Sequence, residues 1–236
     1  MTTPALQLQT LFALDDAGQI TSTREPGGSR GPLFCLIRGV DTCAWAFRAD
    51  LPKKVADELE LLARFERPTS NFQDPPMRAA DYLSILADRI ARECDVVEKR
   101  LRSDGPALAF PPALVQPTDV VVIDDEEVLA HNFSGWEPGE IAAGRSPVLA
   151  VVEGGFPVSI AFCARTSSVA AEAGVDTSHA WRGRGFGPRV VAAWAIAVQA
   201  SGRIPLYSTA WTNSASLSIA RKLGLTTYAS DWSLYD

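Results

Sequence analysis

The sequence has few of the residues that bind structural metals. It contains two histidines and four cysteines among 236 residues, and no cysteine pair has the Cys-x-x-Cys spacing. Structural zinc sites usually combine closely spaced cysteine and histidine ligands, so the sequence predicts no metal. Isolated cysteines are ordinary in a reducing compartment, and we therefore expect a cytoplasmic protein.

Long apolar segments are also absent. The most apolar helix-like stretch, VVAAWAIAV at 190–198, is far shorter than the ~20 residues that span a bilayer. The N-terminal sequence MTTPALQLQT has neither the basic start nor the apolar core of a signal peptide. We therefore expect neither a membrane span nor a membrane partner.

The charge balance lacks the basic excess with which nucleic-acid-binding proteins neutralise phosphates. Lysine and arginine total 22 against 28 aspartates and glutamates, which gives a net charge of -6. We therefore expect no nucleic-acid partner, and an acidic chain mildly favours cationic small molecules. The hydrophobic content of 47% is enough for a folded core, in one large domain or two small ones.

The first 115 residues predict an α+β region without a chemical motif. Its predicted elements are a strand or two with a flexible loop over 1–31, a hairpin of 33–38 and 43–48, and helices over 52–66 and 77–102. Four prolines and one glycine in residues 103–119 predict a domain boundary near 115. We interpret this region as a packing, dimerisation or substrate-lid module, or as a degenerate half-copy of the fold that follows.

Residues 116–236 predict alternating strands and helices. The predicted strands cover 119–123, 148–153, 158–165, 172–178, 204–211 and 226–235. The predicted helices are a short one over 124–133, a long one that ends near Gly202 and a last one between Asn213 and Gly224. This pattern indicates a second domain that mixes strands and helices.

A glycine-rich turn between a predicted strand and a predicted helix is the main chemical motif. Residues 182–187 read Arg-Gly-Arg-Gly-Phe-Gly, and Pro188 suits the first turn of the helix. Glycines let backbone N–H groups approach a ligand closely, and the helix dipole adds about half a positive charge at this end. Together with Arg182 and Arg184, the turn predicts a site for a pyrophosphate.

Two common phosphate-binding motifs do not fit this turn. The dinucleotide fingerprint GxGxxG needs its third glycine one residue later and a carboxylate about 20 residues on, and residues 189–230 contain no carboxylate. A Walker loop, GxxxxGK[ST], is absent. The turn matches (R/Q)xxGx(G/A) through Arg182, Gly185 and Gly187, which resembles the acyl-CoA-binding motif of GNAT acyltransferases. A turn that binds another nucleotide, or no ligand, is the alternative.

A second segment adds to the resemblance to the GNAT superfamily. In that family the strand after the motif helix leads to a helix that begins N-x-x-[AS] and ends in a Leu-Gly-Phe-like stop. Here Asn213 precedes Ser216, and Leu223-Gly224 follows. The resemblance covers residues 117–236 and is greatest to a bacterial subgroup with an extra N-terminal region. It implies a mixed, mostly antiparallel sheet flanked by helices, with residues 1–115 as an α+β extension.

The resemblance implies which residues bind coenzyme A. In GNAT proteins the strand before the motif splays from its neighbour and bonds the pantetheine arm, and the motif amides bind the pyrophosphate. The asparagine of the last helix lies beside the pantetheine or acyl end. The matching residues here are Val175, Asp176, Thr177, Arg182, Gly183, Arg184, Gly185, Phe186, Gly187, Asn213 and Ser216.

The resemblance also implies an N-acetyltransferase that moves an acetyl group from acetyl-CoA to a primary amine of a small molecule or peptide by direct attack. Such a reaction needs a base for the incoming ammonium and an acid for the leaving thiolate. Glu172 and Asp176 alternate to one face of their strand and are the candidate bases. A solvated or salt-bridged surface carboxylate is the alternative for each.

The acid is a point at which this sequence departs from the family pattern. Many GNAT enzymes carry an acid tyrosine in the last helix, where this chain has Ala220. Ser208, Tyr207, Tyr228 or a bound water must then protonate the leaving group, or this step needs no acid. The departure leaves open a non-catalytic acyl-CoA-binding or regulatory module, which would bind coenzyme A without turnover.

The polar loop NFSGWEPGE follows the first strand of the C-terminal region. In the GNAT fold this region usually shapes the acceptor pocket, which makes Phe133 and Trp136 candidates for substrate binding, with loop packing as the alternative. We interpret His131 as structural and His179 as a turn-stabilising residue. The sequence leaves open which amine is the acceptor and whether the chain is a monomer or a homodimer.

Overall fold

The computed structural model describes residues 1–90 and 102–236, with the side chains of 88–90 and 102 left out. The helices are α1 (Pro4–Leu11), α2 (Lys53–Ala63), α3 (Ala79–Ile90), α4 (Phe186–Ala200) and α5 (Ser214–Lys222). The strands are β1 (Phe12–Leu14), β2 (Ile20–Thr23), β3 (Phe34–Gly39), β4 (Cys43–Phe47), β5 (Arg102–Ala109), β6 (Val121–Val122), β7 (Leu149–Glu153), β8 (Phe156–Thr166), β9 (Ala170–Thr177), β10 (Ile204–Ser208) and β11 (Thr226–Leu234).

A nine-stranded sheet is the centre of the fold, in the order β4-β3-β11-β5-β10-β9-β8-β7-β6. Neighbouring strands are antiparallel except β9 and β10, which run parallel. β1 and β2 form a separate antiparallel pair. This mixed, mostly antiparallel sheet with helices packed on it confirms the predicted fold class.

Different parts of the chain cover the two faces of the sheet. On one face, here called the α4 face, α4 and α5 pack against strand residues such as Ala173 and Tyr207 around the buried Trp194. Successive side chains of a strand point to opposite faces. On the other face, here called the α1 face, α1 and the β1–β2 hairpin pack against Ala107 and Ala229. The central strands are therefore buried on both sides.

Most of the predicted elements are present. The β3–β4 hairpin, helix α2 and the strands β7 to β11 lie where the sequence places them, and Asn213 caps α5 as predicted. The described part of the second predicted helix is α3. The continuation of that helix over 91–101 lies outside the described residues, and Arg102 belongs to strand β5.

The predicted strand or two with a loop over residues 1–31 is confirmed by β1 and β2, but the prediction missed a helix, because residues 4–11 form α1. The Thr3 side chain caps this helix by accepting a hydrogen bond from the Leu6 amide at 3.2 Å, and Pro4 occupies the first helical turn. The Thr-Pro pair was therefore a readable start signal.

The prediction of a helix over 124–133 was also wrong, because this segment forms turns. Asp125 Oδ1 accepts a hydrogen bond from the Glu127 amide at 3.0 Å, and the Glu126 carboxylate accepts hydrogen bonds from the amides of Gly139 and Ile141. Acidic side chains that bind nearby amides in this way compete with a regular helix.

The sheet contains strands from both sides of residue 115. β5 comes before that position, and it pairs with β10 and β11, which come after it. The division of the chain at 115 stays a prediction.

The half-copy hypothesis was wrong, because it requires a splayed parallel strand pair in the first half. The strand pairs of the described residues before 115 are antiparallel, with β3 and β4 in register from Phe34–Phe47 to Arg38–Cys43.

Two features are absent from the described residues. None of the helices in residues 1–90 and 102–236 is long and apolar enough to cross a membrane. The same part of the chain has no group of three or more histidine, cysteine, aspartate or glutamate residues that could hold a metal ion.

Candidate functional site

The parallel strands β9 and β10 separate after a short contact. Their register runs only from the Ala170–Ile204 pair to the Glu172–Leu206 pair. Beyond it, β10 stays paired with β5 on its other side, up to the Ser208–Ala107 pair. The second half of β9 therefore has no partner on the β10 side among the described residues, and a wedge opens between the two strands. This splay is the geometry that the sequence resemblance implied.

A cavity of about 660 Å³ occupies this wedge and the space between α4 and α5. Most of the predicted coenzyme-binding residues line it, namely Val175, Asp176, Thr177, Arg182, Gly183, Gly185, Phe186, Gly187, Asn213 and Ser216. Two stretches of the chain, 173–188 and 207–222, supply the lining. The structure therefore brings together residues that the sequence had grouped into two separate motifs.

The N-terminus of α4 opens into this cavity through the glycine-rich turn. Gly183 and Gly185 have φ angles of 77° and 80°, which side chains other than glycine adopt only with strain. A Cβ atom added at Gly187 would lie 2.9 Å from Ile219 Cδ1, so glycine lets α4 and α5 approach closely. The first amides of α4 have no partner within the helix, and they form an anion site together with the helix dipole.

The two arginines of the turn have different surroundings. Arg182 lines the cavity, and its Nε donates a hydrogen bond to the Thr177 carbonyl at 2.9 Å. The Arg184 guanidinium instead lies 4.4 Å from the centre of the Trp181 ring and donates to the Ala180 carbonyl at 3.3 Å. Arg184 does not line the cavity, so its predicted contact with the coenzyme stays a prediction.

Helix α5 and strand β10 supply the hydroxyl groups of the cavity. Asn213 Oδ1 accepts a hydrogen bond from the Ser216 amide at 3.1 Å, which fixes the first turn of α5. The Tyr207 hydroxyl lies 2.6 Å from Ser216 Oγ, and burial raises the pKa of this phenol. The methyl group of Ala220, at the usual tyrosine position, is 2% exposed in the core. The Tyr207 side chain, in contrast, lines the cavity, and its phenol is protonated at neutral pH because its pKa is raised.

Glu172 lies behind the cavity, where it is 2% exposed, and does not line it. Its Oε2 accepts a hydrogen bond from Arg165 at 2.8 Å, and its Oε1 accepts hydrogen bonds from Gln7 at 3.2 Å and from Ser208. Gln7 comes from α1, and the Tyr228 hydroxyl donates to Gln7 Oε1 at 2.6 Å. This network orients the Ser208 hydroxyl, and a role for Glu172 as a base stays a prediction.

Asp176, the other candidate base, is exposed and lines the cavity. Its Oδ1 accepts a hydrogen bond from the Thr177 amide at 2.7 Å and lies 3.8 Å from Arg182 Nη2. A carboxylate in this position holds Arg182 at the mouth of the anion site. Its predicted roles in coenzyme binding and catalysis remain predictions.

The predicted substrate residues Phe133 and Trp136 line none of the cavities described here. Phe133 is 5% exposed, and it belongs to a small core with Leu129 and Ile160 on the sheet. Trp136 packs edge-on against Phe162 at 5.3 Å between ring centres. Loop packing therefore accounts for both rings, and the predicted contact with an acceptor remains untested.

The two histidines lie in different places. The His131 ring stacks on Phe156 at 3.8 Å between ring centres, which fits the structural role predicted for it. His179 begins the 3₁₀ turn before the glycine-rich motif, and it does not line the cavity.

A second cavity, of about 320 Å³, was not predicted from the sequence. It shares Ser208, Thr209 and Asn213 with the larger cavity, so the two spaces meet at the end of β10. Its other lining residues come from α1, β1, β5, β8 and β11. No local pattern joins these segments, so the sequence held no signal by which they could have been grouped.

The comparisons with known proteins agree with the geometry. Residues 125–235 match the family model described as GNAT acetyltransferase. No curated protein sequence matches the chain.

Several solved structures are similar to this chain at low sequence identity. A putative acetyltransferase from the GNAT family of Novosphingobium aromaticivorans is 20% identical with a TM-score of 0.48, over 58% of this chain and 65% of that one. A GCN5-related N-acetyltransferase-like protein from Streptococcus suis is 17% identical with a TM-score of 0.49, over 93% and 87%. A tandem GNAT protein from the clavulanic acid biosynthesis pathway is 11% identical with a TM-score of 0.44, over 80% and 72%.

Proposed function

We propose that this chain, which belongs to the GNAT superfamily of acyltransferases through residues 125–235, transfers an acetyl group from acetyl-CoA to a primary amine. The observation that carries the proposal is the larger cavity. It joins a splayed parallel strand pair to the N-terminus of α4, so an extended acyl chain and an anionic group fit in one continuous space. The turnover experiment below distinguishes transfer of an acetyl group from transfer of a longer acyl group.

The pyrophosphate of coenzyme A suits the turn at 183–187. The unpaired amides of a helix N-terminus and the dipole of α4 attract an anion, and Arg182 and Lys222 add positive charge to the same cavity. The unpaired edge of β9 offers backbone groups at Val175 and Thr177 to the amides of the pantetheine arm, in the way that a peptide adds to a sheet edge. The pyrophosphate and the pantetheine arm of the coenzyme therefore both have complementary groups in this cavity.

The thioester would lie near Ser208, where the two cavities meet. An amine that enters from the smaller cavity attacks the carbonyl carbon, the C–N bond forms and the C–S bond breaks. The Tyr207 phenol lines the larger cavity and keeps its proton at neutral pH, so it is the acid we assign to the leaving thiolate. The buried Glu172 positions Ser208 and does not contact the reacting atoms.

Binding comes first in the experimental test. Acetyl-CoA, coenzyme A, ATP and NAD are each titrated into the purified protein by calorimetry. We expect acetyl-CoA and coenzyme A to bind at least tenfold more tightly than ATP or NAD, since only they combine a pyrophosphate with a pantetheine arm. Equal or tighter binding of ATP or NAD would overturn the coenzyme assignment.

Turnover separates an enzyme from a non-catalytic binding module. Thiol release from acetyl-CoA, propionyl-CoA and butyryl-CoA is followed with a panel of primary amines. We expect release with acetyl-CoA, and a Tyr207→Phe variant that binds coenzyme A normally while its kcat falls about 10- to 100-fold. Binding of coenzyme A without any thiol release would favour the non-catalytic module, to which the missing tyrosine at Ala220 also points.

A further inference from the structure

The smaller cavity lies on the α1 face, on the opposite side of the sheet from the coenzyme cavity. Asp231 of β11 stands opposite Gly105 of β5, and β5 is followed in the sheet by β10 with Ser208. A Cβ atom at Gly105 would overlap the carbonyl of Thr209, so this glycine lets the chain after Ser208 pass close to β5. Asp231, Ser208 and Thr209 thereby line the same small space.

Acidic groups outnumber basic groups around this cavity. Arg165 lines the cavity, but its guanidinium is already paired with Glu25 at 2.9 Å and with Glu172 at 2.8 Å. Two carboxylates outweigh one guanidinium, and Asp231 adds a third acidic group. The described side chains around the cavity therefore attract a cation and repel an anion.

The Asp231 carboxyl group is arranged to accept a proton. Its Oδ2 accepts hydrogen bonds from Ser233 at 3.2 Å and from the thiol of Cys35 at 3.6 Å. Its Oδ1 has no hydrogen-bond donor among the described residues, so it is available to a molecule in the cavity. Burial raises the pKa of Asp231 to about 7, with the negative charge of Glu172 acting in the same direction. A base with a pKa near neutral pH is suited to proton transfer.

Every element packed around Asp231 contributes to its titration. The titratable and charged groups around it are Tyr235 on the C-terminal tail, Cys35 on β3, Arg165 with its partner Glu25, and Glu172 on β9, and Ser233 on its own strand donates a hydrogen bond. Burial and the charge of Glu172 raise the pKa of Asp231, whereas the hydrogen bonds from Ser233 and Cys35 and the charge of Arg165 lower it.

We propose that the smaller cavity binds a small cationic primary amine and that Asp231 is the base that deprotonates it. This proposal rests on the acyl transfer proposed above. The buried side chains of Leu11 and Phe12 form an apolar wall of the cavity, which suits the carbon chain of such an amine. The volume of about 320 Å³ restricts the part of the acceptor that enters to a small group.

The proton balance of the step is complete without a further reactant. The ammonium gives one proton to Asp231 Oδ1, and the free lone pair attacks the thioester carbon. As the C–N bond forms and the C–S bond breaks, the nitrogen loses a second proton and the thiolate gains one, through the Tyr207 phenol. The products are the N-acetyl amide and the coenzyme A thiol, and the proton on Asp231 returns to solvent.

A binding experiment tests the amine site without turnover. The probes are 1,3-diaminopropane, n-propylamine and β-alanine, titrated into the protein saturated with coenzyme A. We expect the two cationic amines to bind at least tenfold more tightly than the zwitterion β-alanine, and Asp231→Asn to weaken their binding at least tenfold. Asp57→Asn, which removes an exposed carboxylate on α2, is the matched control and should change nothing.

Rates then test the role of Asp231 as base. With the best amine of the panel, we expect Asp231→Asn to lower kcat/KM at least 100-fold while the affinity for acetyl-CoA stays the same. The wild-type rate should rise with pH through about 7, and the variant should lack this limb. Serine at Cys35 keeps a donor to Asp231, so Cys35→Ser should retain the limb.

Two outcomes would overturn this inference and leave the acyltransferase proposal standing. One is thiol release by Asp231→Asn at the wild-type rate with an unchanged pH profile. The other is binding of β-alanine as tight as that of the cationic amines, or no binding of any amine probe to the protein saturated with coenzyme A. Failure of coenzyme A itself to bind would instead count against the proposed function, because that measurement does not involve Asp231.

Discussion

The two cavities that meet at Ser208 are built in different ways. The larger one is formed by two short stretches of chain, 173–188 and 207–222, and each contains a motif that is visible in the sequence. The smaller one draws its lining from six elements, α1, β1, β5, β8, β10 and β11, and some of these residues are separated by more than half of the chain. Local structure therefore creates the larger cavity, whereas long-range packing of the α1 face creates the smaller one.

The two cavities also differ in charge. A helix N-terminus, Arg182 and Lys222 give the larger cavity a positive character. Asp231 and the neutralised Arg165 give the smaller one a negative character. An anionic co-substrate and a cationic acceptor would thus approach the same point from opposite faces of the sheet, each attracted to its own side.

The largest expected effect concerns the polar network that supports the α1 face. Glu172→Ala removes a buried acceptor of three hydrogen bonds and one partner of Arg165. We expect the free energy of unfolding to fall by about 2–4 kcal/mol in urea titrations. The control is Glu25→Ala, which removes the more exposed partner of the same guanidinium and should cost under ~1 kcal/mol. Equal losses would contradict a special role for the buried carboxylate.

The next effect concerns the pH dependence of stability, which should differ between wild type and Asp231→Asn. The pKa of Asp231 is raised to about 7 by burial, so between about pH 4 and 7 the folded state binds more protons than the unfolded state. Its contribution to stability is therefore lost as the pH rises through this window, and is constant above it. Across this window, we expect the free energy of unfolding of the wild type to fall by roughly 2 kcal/mol relative to that of Asp231→Asn. This is less than the whole pKa shift would give, because Asp231 lines an open cavity.

Urea titrations of both proteins at several pH values between 4.5 and 8 check this prediction. Subtracting the variant removes the contribution of other carboxyls such as Asp50, whose pKa is lowered by its hydrogen bond with Arg48. A difference that does not change with pH would contradict the environment described for Asp231.

The smallest effect compares two glycines that flank α4 and have the same backbone strain. Gly185 and Gly202 have φ angles of 80° and 81°, and a Cβ atom at either would meet nothing within 4 Å. Alanine should cost each position a similar amount, about 1 kcal/mol of stability. Only Gly185→Ala should weaken coenzyme A binding, about tenfold, because only this turn faces the ligand. Equal affinities in calorimetry would place the pyrophosphate elsewhere.

The residues that line the larger cavity could be grouped from the sequence because their determinants are local. The glycines at 183–187 stand between a strand and a helix, and Asn213 begins the next helix, so their roles follow from neighbours in the chain. Thr3 and Pro4 were an equally local signal for α1, which the polar composition of the segment obscured.

The lining of the smaller cavity could not be predicted in this way. Asp231 lies in a strand whose alternation is clear, but its partners Cys35, Gly105 and Ser208 become neighbours only through the order of strands in the sheet. The insertion of β5 between β10 and β11 decides that order, and no pattern in residues 102–109 indicates it. Phe133 and Trp136 were given substrate roles by analogy, whereas their packing depends on contacts with β8.

The most direct test of this account is a crystal structure of the protein with acetyl-CoA. We predict the pyrophosphate on the amides of 183–187, the pantetheine arm along the open edge of β9, and the thioester carbon within about 4 Å of Ser208 Oγ, facing the smaller cavity. A coenzyme bound with its thioester away from Ser208, or with its pyrophosphate off the α4 N-terminus, would contradict the claim that the two cavities meet at the reacting atoms.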